Sequence, residues 1–388
     1  MAKSSPAKTA QKEAEETEGV ISPESQALSY LKANKADHYN FEEEQTDITP
    51  TSSLICTAAM DGGVRPGAHR ALGLAAGGKT SATLDMMLNF LRKDDGKGRR
   101  GFYVKSEGRL SPEVMARSGI KFTTDPAQWK DGVCFIFESN VFEAVFGFMG
   151  DLIRNNPTKT RYFFILDSLD MMAKRADLEK GLEDAAQVAG GALITSVFLK
   201  KTSAALAKRG HYCWFISQVR DSIKINPYEK SNPRQGMSSG GHAVEHAGDW
   251  VLDFLPRFGD DIIRETPSDK SSKAIGHYCR LRIVKSNNEK YGTEVRYPIK
   301  YGRSGGTSVW REREIADLLL MWSQVEKSGS WLKVASALRD EVKAETGVEM
   351  PEKIQGLDNL YTYLEETRVV SDYLYAKFLA LITGKKAA

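Results

Sequence analysis

Three observations predict an α/β fold for this 388-residue sequence, built on a mostly parallel, twisted sheet flanked by helices. Apolar runs alternate with helical patterns between about residues 51 and 302, the pattern of a chain that repeatedly crosses over one sheet. The stretch GLAAGGKTS, Gly73 to Ser81, satisfies the phosphate-loop pattern G-x-x-x-x-G-K-[ST] and runs directly into an amphipathic segment. Polar residues end several of the apolar runs, at the edge where open parallel sheets bind ligands. An N-terminal helix and a small helical C-terminal domain complete the expected architecture.

In chain order, residues 1–22 read as a solvated tail of mixed charge with almost no large apolar side chains. Residues 23–50 follow as a helix and linker. Ser22 caps the helix ahead of Pro23 and Glu24, and Ala27, Leu28 and Leu31 share one face. The acidic link HYNFEEEQTDITP closes this segment near Pro50. The α/β core spans 51–308. Its candidate strands are Phe102–Ser106, Val133–Phe137, Tyr162–Leu166, His211–Ser217, Trp250–Leu255, Tyr278–Lys285 and Val295–Ile299, with helices over Val141–Arg154 and Ile194–Lys208. From Val309 to the end, 309–388, the segments WREREIADLLLMWSQV, WLKVASALRDEVKA and DYLYAKFLALI read as a helical domain.

The phosphate loop carries the first chemistry. Its glycines, Gly73, Gly77 and Gly78, leave the backbone N–H groups of Leu74, Ala75, Ala76 and their neighbours free to curl around the phosphates of a nucleotide. Lys79 reaches the β- and γ-phosphates, the Thr80 hydroxyl ligates Mg²⁺, and Ser81 continues into the helix. Leu84, Met87, Leu88 and Leu91 recur at helical spacing, so a helix amino end faces the phosphates.

Three strand exits carry the rest. Asp167 ends the apolar run RYFFILD, the usual setting of an acidic residue that holds Mg²⁺. Glu107, just past FYVKS, is placed to act as general base on water. Gln218, ending YCWFISQ, is placed to sense the γ-phosphate. The long polar segment after it brings Arg220, Lys224, Lys230 and Arg234, then Gly240 and Gly241, residue types that suit phosphate-backbone contacts. A second polar stretch covers 174–191.

Composition narrows the classes. The formal charge of +3 is nearly neutral, so no overall basic field argues for nucleic acid. No apolar run reaches the length of a membrane span and no signal-peptide core is evident, which points to a cytoplasmic protein. Cys56, Cys134, Cys213 and Cys279 are scattered and form no C-x-x-C pair, so buried thiols are expected.

With the motifs in this order, residues 23–308 resemble the RecA/UvsX family of DNA recombinases, especially its phage-type branch. The resemblance rests on GLAAGGKTS, FYVKSEGRLSPEVMARSGI, FFILDS, FISQVR, SSGGHAVEHAGD and RLRIVKSNNEKYGTEVRYPIKYG. It implies a RecA-like core in which Glu107 activates water and Gln218 couples ATP to DNA. Lys285 would reach the ATP of an adjacent subunit. It further implies that 219–241 and 174–191 match two DNA-binding loops, and that the helix over 23–34 packs on a neighbouring protomer. Asn287 stands where bacterial relatives carry a second lysine, with Lys290 nearby. Val114 stands where an aromatic residue stacks on adenine, and the chain ends in LITGKKAA rather than an acidic tail. The implied protein is a DNA-dependent ATPase with ATP and Mg²⁺. It forms filaments on single-stranded DNA, pairs homologous duplex DNA, and has single-strand-binding and mediator proteins as further partners. It works in the cytoplasm, or in a host cytoplasm or replication compartment if phage-encoded. The alternative is an ATP-binding filament or helicase-type protein of the same fold with little strand exchange.

Overall fold

The computed structural model describes residues 22–107, 110–179, 190–218, 241–304 and 306–384. It divides into two units, one ending at Glu43 and one beginning at Glu44. In the first unit, helix Pro23–Ala33 starts as its sequence predicts. The Ser22 side chain accepts the Ser25 N–H and proline fills the first turn. Leu28 and Tyr30 are exposed.

The second unit is organised by one large sheet. Its strands are β1 (Gly67–Gly73), β2 (Arg99–Lys105), β3 (Lys121–Thr123), β4 (Val133–Phe137), β5 (Arg161–Asp167), β6 (Tyr212–Gln218), β7 (Trp250–Phe254), β8 (Ile262–Arg264), β9 (Ala274–Lys285) and β10 (Glu294–Lys300). The spatial order is β10-β9-β7-β1-β6-β5-β2-β4-β3, with β8 on β9. From β7 to β3 every pairing is parallel. Central strands β1, β5 and β6 are buried along almost their whole length, because helices cover both faces and leave no side for water. Their apolar side chains, among them Phe163, Tyr212 and Trp214, pack with Met87 and Phe90 of helix Lys79–Arg92 in the main core.

Strand β9 runs antiparallel to both β7 and β10, and the link from β9 to β10 is too short for a parallel crossover. The expected strands and helices all occur, shifted at their ends by a few residues. Beyond them the C-terminal region contains a small sheet that the sequence reading took for helix. Strands β11 (Val325–Ser328), β12 (Trp331–Val334) and β13 (Lys353–Gln355) pair antiparallel. In WLKV, Leu332 and Val334 are buried while Trp331 and Lys333 face out, a period of two hidden by the helical pattern that follows immediately. Helices Arg311–Met321, Ser336–Thr346, Gly356–Glu366 and Arg368–Thr383 share a core with this sheet and with Leu54.

Candidate nucleotide site

The parallel register brings the carboxyl ends of β1, β6, β5 and β2 into one row, where Gly73 sits opposite Gln218 and Lys105 opposite Asp167. The phosphate loop leaves β1 there. Gly73 has φ +137°, and a side chain would lie 2.3 Å from the Phe254 carbonyl oxygen, so only glycine fits. Gly78 caps helix Lys79–Arg92 at φ 104° without any side-chain cap, which leaves the first helical N–H groups for an anion.

Lys79 is nearly buried, its ammonium donating to the carbonyl oxygens of Gly73 at 2.8 Å and Leu74 at 2.7 Å. Burial lowers its pKa, opposed by the nearby carboxylates of Asp167, Asp170 and Glu107. Thr80 Oγ1 donates to Asp167 Oδ2 at 2.7 Å, and the Tyr103 hydroxyl donates to the same oxygen at 2.6 Å. Burial raises the Asp167 pKa, with the Tyr103 and Thr80 hydrogen bonds working against it.

Glu107 faces this pair from the next strand exit. It accepts from Ser168 Oγ and from Gln218 Nε2 at 3.1 and 3.3 Å, while the Gln218 backbone N–H donates to Asp170 Oδ2 at 2.6 Å. The Asp167–Ser168 peptide bond is cis. Phosphate loop, threonine–aspartate pair and glutamate–glutamine pair thus lie on one sheet edge.

A cleft of about 540 Å³ opens beside the loop, its walls including Lys79, Asp85, Arg117, Arg257, His277 and Tyr301. Arg257 donates to the Ala76 carbonyl at 3.3 Å and Arg117 to Ser81 Oγ at 3.4 Å. The loop, the uncapped helix end and this cationic cleft suit a nucleoside triphosphate. Thr80 and Asp167 are the protein groups able to hold a divalent cation beside its phosphates, where the ion would offset developing charge. Among the described residues, no group of three or more His, Cys, Asp or Glu side chains is arranged to hold a metal ion.

The residues expected at the site divide into three sets. Gly73 to Ser81, Glu107, Asp167 and Gln218 come together. Lys285 does not join them within this chain. It pairs with Val251 near the start of β7, whereas the loop lies beside Phe254 at the end of that strand. The Lys285 ammonium instead donates to the Glu245 and His246 carbonyls at 3.0 and 2.6 Å, on helix Gly241–Ala247. Asn287 donates to Asp249 Oδ1 at 2.8 Å, and Lys290 pairs with Asp61 at 3.2 Å. Gly241 opens that helix, while Arg220, Lys224, Lys230, Arg234 and Gly240 lie outside the described residues.

Sequence reading missed Tyr103, Ser168, Asp170, Asp85, Arg117 and Arg257. Asp85 carried a signal, being a charge inside the apolar stripe Leu84, Met87, Leu88. Tyr103 carried none, since it counts as one more apolar residue in its strand. All four cysteines are buried and unpaired. Among the described residues, no helix is long and apolar enough to cross a membrane.

No protein-family profile matches the chain. It is similar to curated proteins named Protein RecA. That of Bifidobacterium longum is 25% identical over 291 residues, covering 74% of this chain and 65% of the relative. That of Thermus thermophilus is 24% identical over 326 residues, covering 84% and 86%. That of Bordetella avium is 23% identical over 334 residues, covering 86% and 81%. The chain thus spans about 65% of the length of the first of these relatives. A solved structure described as the RadB recombinase aligns with a TM-score of 0.41 at 15% identity, over 63% of this chain and 93% of that one.

Proposed function

We propose that this chain is a RecA-type recombinase of the phage branch, a DNA-dependent ATPase that polymerises on single-stranded DNA and promotes homologous pairing and strand exchange. Residues 51–308 act as the ATPase core and 309–388 as its C-terminal domain. The observation that carries the reading is the Glu107–Gln218 pair facing the Thr80–Asp167 pair across the strand exits, at the mouth of the phosphate loop. A phosphate loop alone serves many reactions. A carboxylate next to it, held by a glutamine at the base of the segment 219–240, joins water activation to a sensor that leads into that segment.

In this reading Lys79 holds the β- and γ-phosphates and Thr80 with Asp167 holds Mg²⁺. Glu107 takes the proton from water as it attacks the γ-phosphate. Gln218 reports the phosphate to the segment whose Arg220, Lys224, Lys230 and Arg234 contact the DNA backbone. Lys285 acts on the ATP of an adjacent subunit in the filament, which agrees with its distance from the loop of its own chain.

ATP turnover measured with and without single-stranded DNA tests the reading, with stimulation expected. Equal rates would argue instead for an ATP-binding filament protein with little strand exchange. Replacing Arg220 and Lys224 with alanine should weaken oligonucleotide binding and lower the magnitude of the log–log salt slope by roughly 0.7 per lost contact. An unchanged slope would remove these residues from the DNA site.

A further inference from the structure

A buried arginine stands behind the site, and the function proposed above gives it no role. Arg70 lies in β1, three residues before Gly73, and is only 3% exposed. Its neighbours in the sheet show which way it points. Ala71 packs in the main core with Trp214, Ile216 and Leu252, so Arg70 faces the opposite side of the sheet. Helices Gly190–Lys208 and Gly241–Ala247 cover that side, packing on β1 and on each other.

Under these helices the Arg70 guanidinium donates to Ser217 Oγ of β6 at 3.4 Å, one residue before Gln218. Two carboxylates attract it, Glu245 of helix Gly241–Ala247 and Asp170, just past the end of β5. Asp170 in turn accepts the Gln218 backbone N–H at 2.6 Å. Burial lowers the Arg70 pKa and these charges oppose the shift, so the guanidinium stays charged. A buried charge on a central strand is costly, and an apolar residue would pack there more cheaply. What the arginine adds is a tie. Segment 219–240 leaves the sheet at Gln218 and returns at Gly241. Arg70 meets Ser217 and Asp170 at the exit and Glu245 at the return.

We propose that Arg70 is a positioning residue that locks helix Gly241–Ala247 to the Gln218 strand exit and so couples nucleotide binding to DNA binding. The inference rests on the DNA-dependent ATPase reading above. Gln218 meets Glu107 through its side chain and Asp170 through its backbone. A γ-phosphate that draws the side chain off Glu107 displaces a residue bound to Asp170, and Arg70 carries that displacement across to Glu245. Without the guanidinium the two ends of the segment respond separately.

Titrating a fluorescent single-stranded oligonucleotide with the full chain, with and without β,γ-imido-ATP, reads the coupling as a ratio of two affinities. In wild type the analogue should tighten DNA binding. Arg70→Met keeps the bulk and loses the charge. It should cut the ratio roughly 5-fold or more, while analogue affinity and turnover without DNA stay close to wild type. Arg70→Lys keeps the charge and should retain most of the ratio. Glu245→Gln should also cut it, and the double variant should lose no more than Arg70→Met alone, because both changes break one tie. Should Arg70→Met fold poorly by circular dichroism, Glu245→Gln, at an exposed position, gives the same readout. An unchanged ratio in Arg70→Met or Glu245→Gln would overturn the inference, as would losses that add in the double variant. Equal losses in Arg70→Lys and Arg70→Met would assign the effect to shape rather than charge and overturn it too. A wild-type ratio of one would overturn the DNA-coupled reading itself, and this inference with it.

Discussion

Two sets of buried carboxyls in this chain look alike one by one and differ in their surroundings. At the carboxyl edge of the sheet, Asp167 receives hydroxyls from Thr80 and Tyr103 and stands beside Glu107, Gln218 and Lys79. In the seam between the sheet and the C-terminal helices, Glu314 accepts from Ser53 Oγ and from the Leu54 N–H at 2.9 Å, capping helix Leu54–Ala59. Burial raises both pKa values. The shift alone therefore marks neither as functional. The neighbours separate them, since the sheet edge gathers hydrogen-bonded polar groups from several strands next to an open cleft, and the seam closes over a helix cap. Changes at the first should cost chemistry and little stability, and changes at the second the reverse.

The largest effect expected is at Lys79. Lys79→Ala should abolish ATP hydrolysis, because Lys79 is buried on two of the loop's carbonyls whereas Arg257, on the Ala76 carbonyl, is exposed, while circular dichroism shows a folded chain. Normal turnover would remove the loop from the working site and erase the contrast. Glu107→Gln should come next. It preserves shape and hydrogen-bonding capacity towards Ser168 and Gln218 but cannot accept a proton, so kcat falls roughly 10²–10⁴-fold with ATP still bound. Its melting temperature should stay close to wild type. A large stability loss with unchanged kcat would put Glu107 in the same structural class as Glu314.

How much of this contrast was legible beforehand follows from the kind of signal involved. The central strands were legible because burial on both faces writes a continuous apolar run, and the phosphate loop because its spacing is local. The sheet edge was half legible. Glu107 and Gln218 could be placed at strand exits, but 111 residues separate them, and only the parallel pairing brings one against the other. Asp170 and Ser168, which hold that pair, fall in a short turn that no periodicity distinguishes. The seam was illegible, because Glu314 lies about 260 residues from Ser53 and Leu54 and each alone is unremarkable. Strand β12 was misread because four alternating residues run into a helical pattern that dominates any longer window.

The smallest effect sharpens the other half of the comparison. Burial pushes the Glu314 pKa up to about 7 from 4.5, against the hydrogen bonds from Ser53 and Leu54 and the attraction of Arg311. A carboxyl with a raised folded pKa binds its proton more tightly when folded. Its contribution to stability is full below about pH 4.5 and is lost as pH rises through 7. At about 1.36 kcal/mol per unit, the loss is on the order of 3 kcal/mol by pH 8. Glu314→Gln resembles the protonated form, able to donate to Ser53 and accept from Leu54. The wild-type melting temperature should therefore fall between pH 5 and pH 8, and the glutamine variant should fall less and melt a few degrees higher at pH 8. Some slope should remain, because Asp85 is also raised by burial to about 7 and titrates in the same window. Turnover of Glu314→Gln at pH 7 should match wild type. Parallel melting curves for the two proteins across this range would show that Glu314 is already neutral, or that its charge is solvated, and the seam would lose its distinction from the sheet edge.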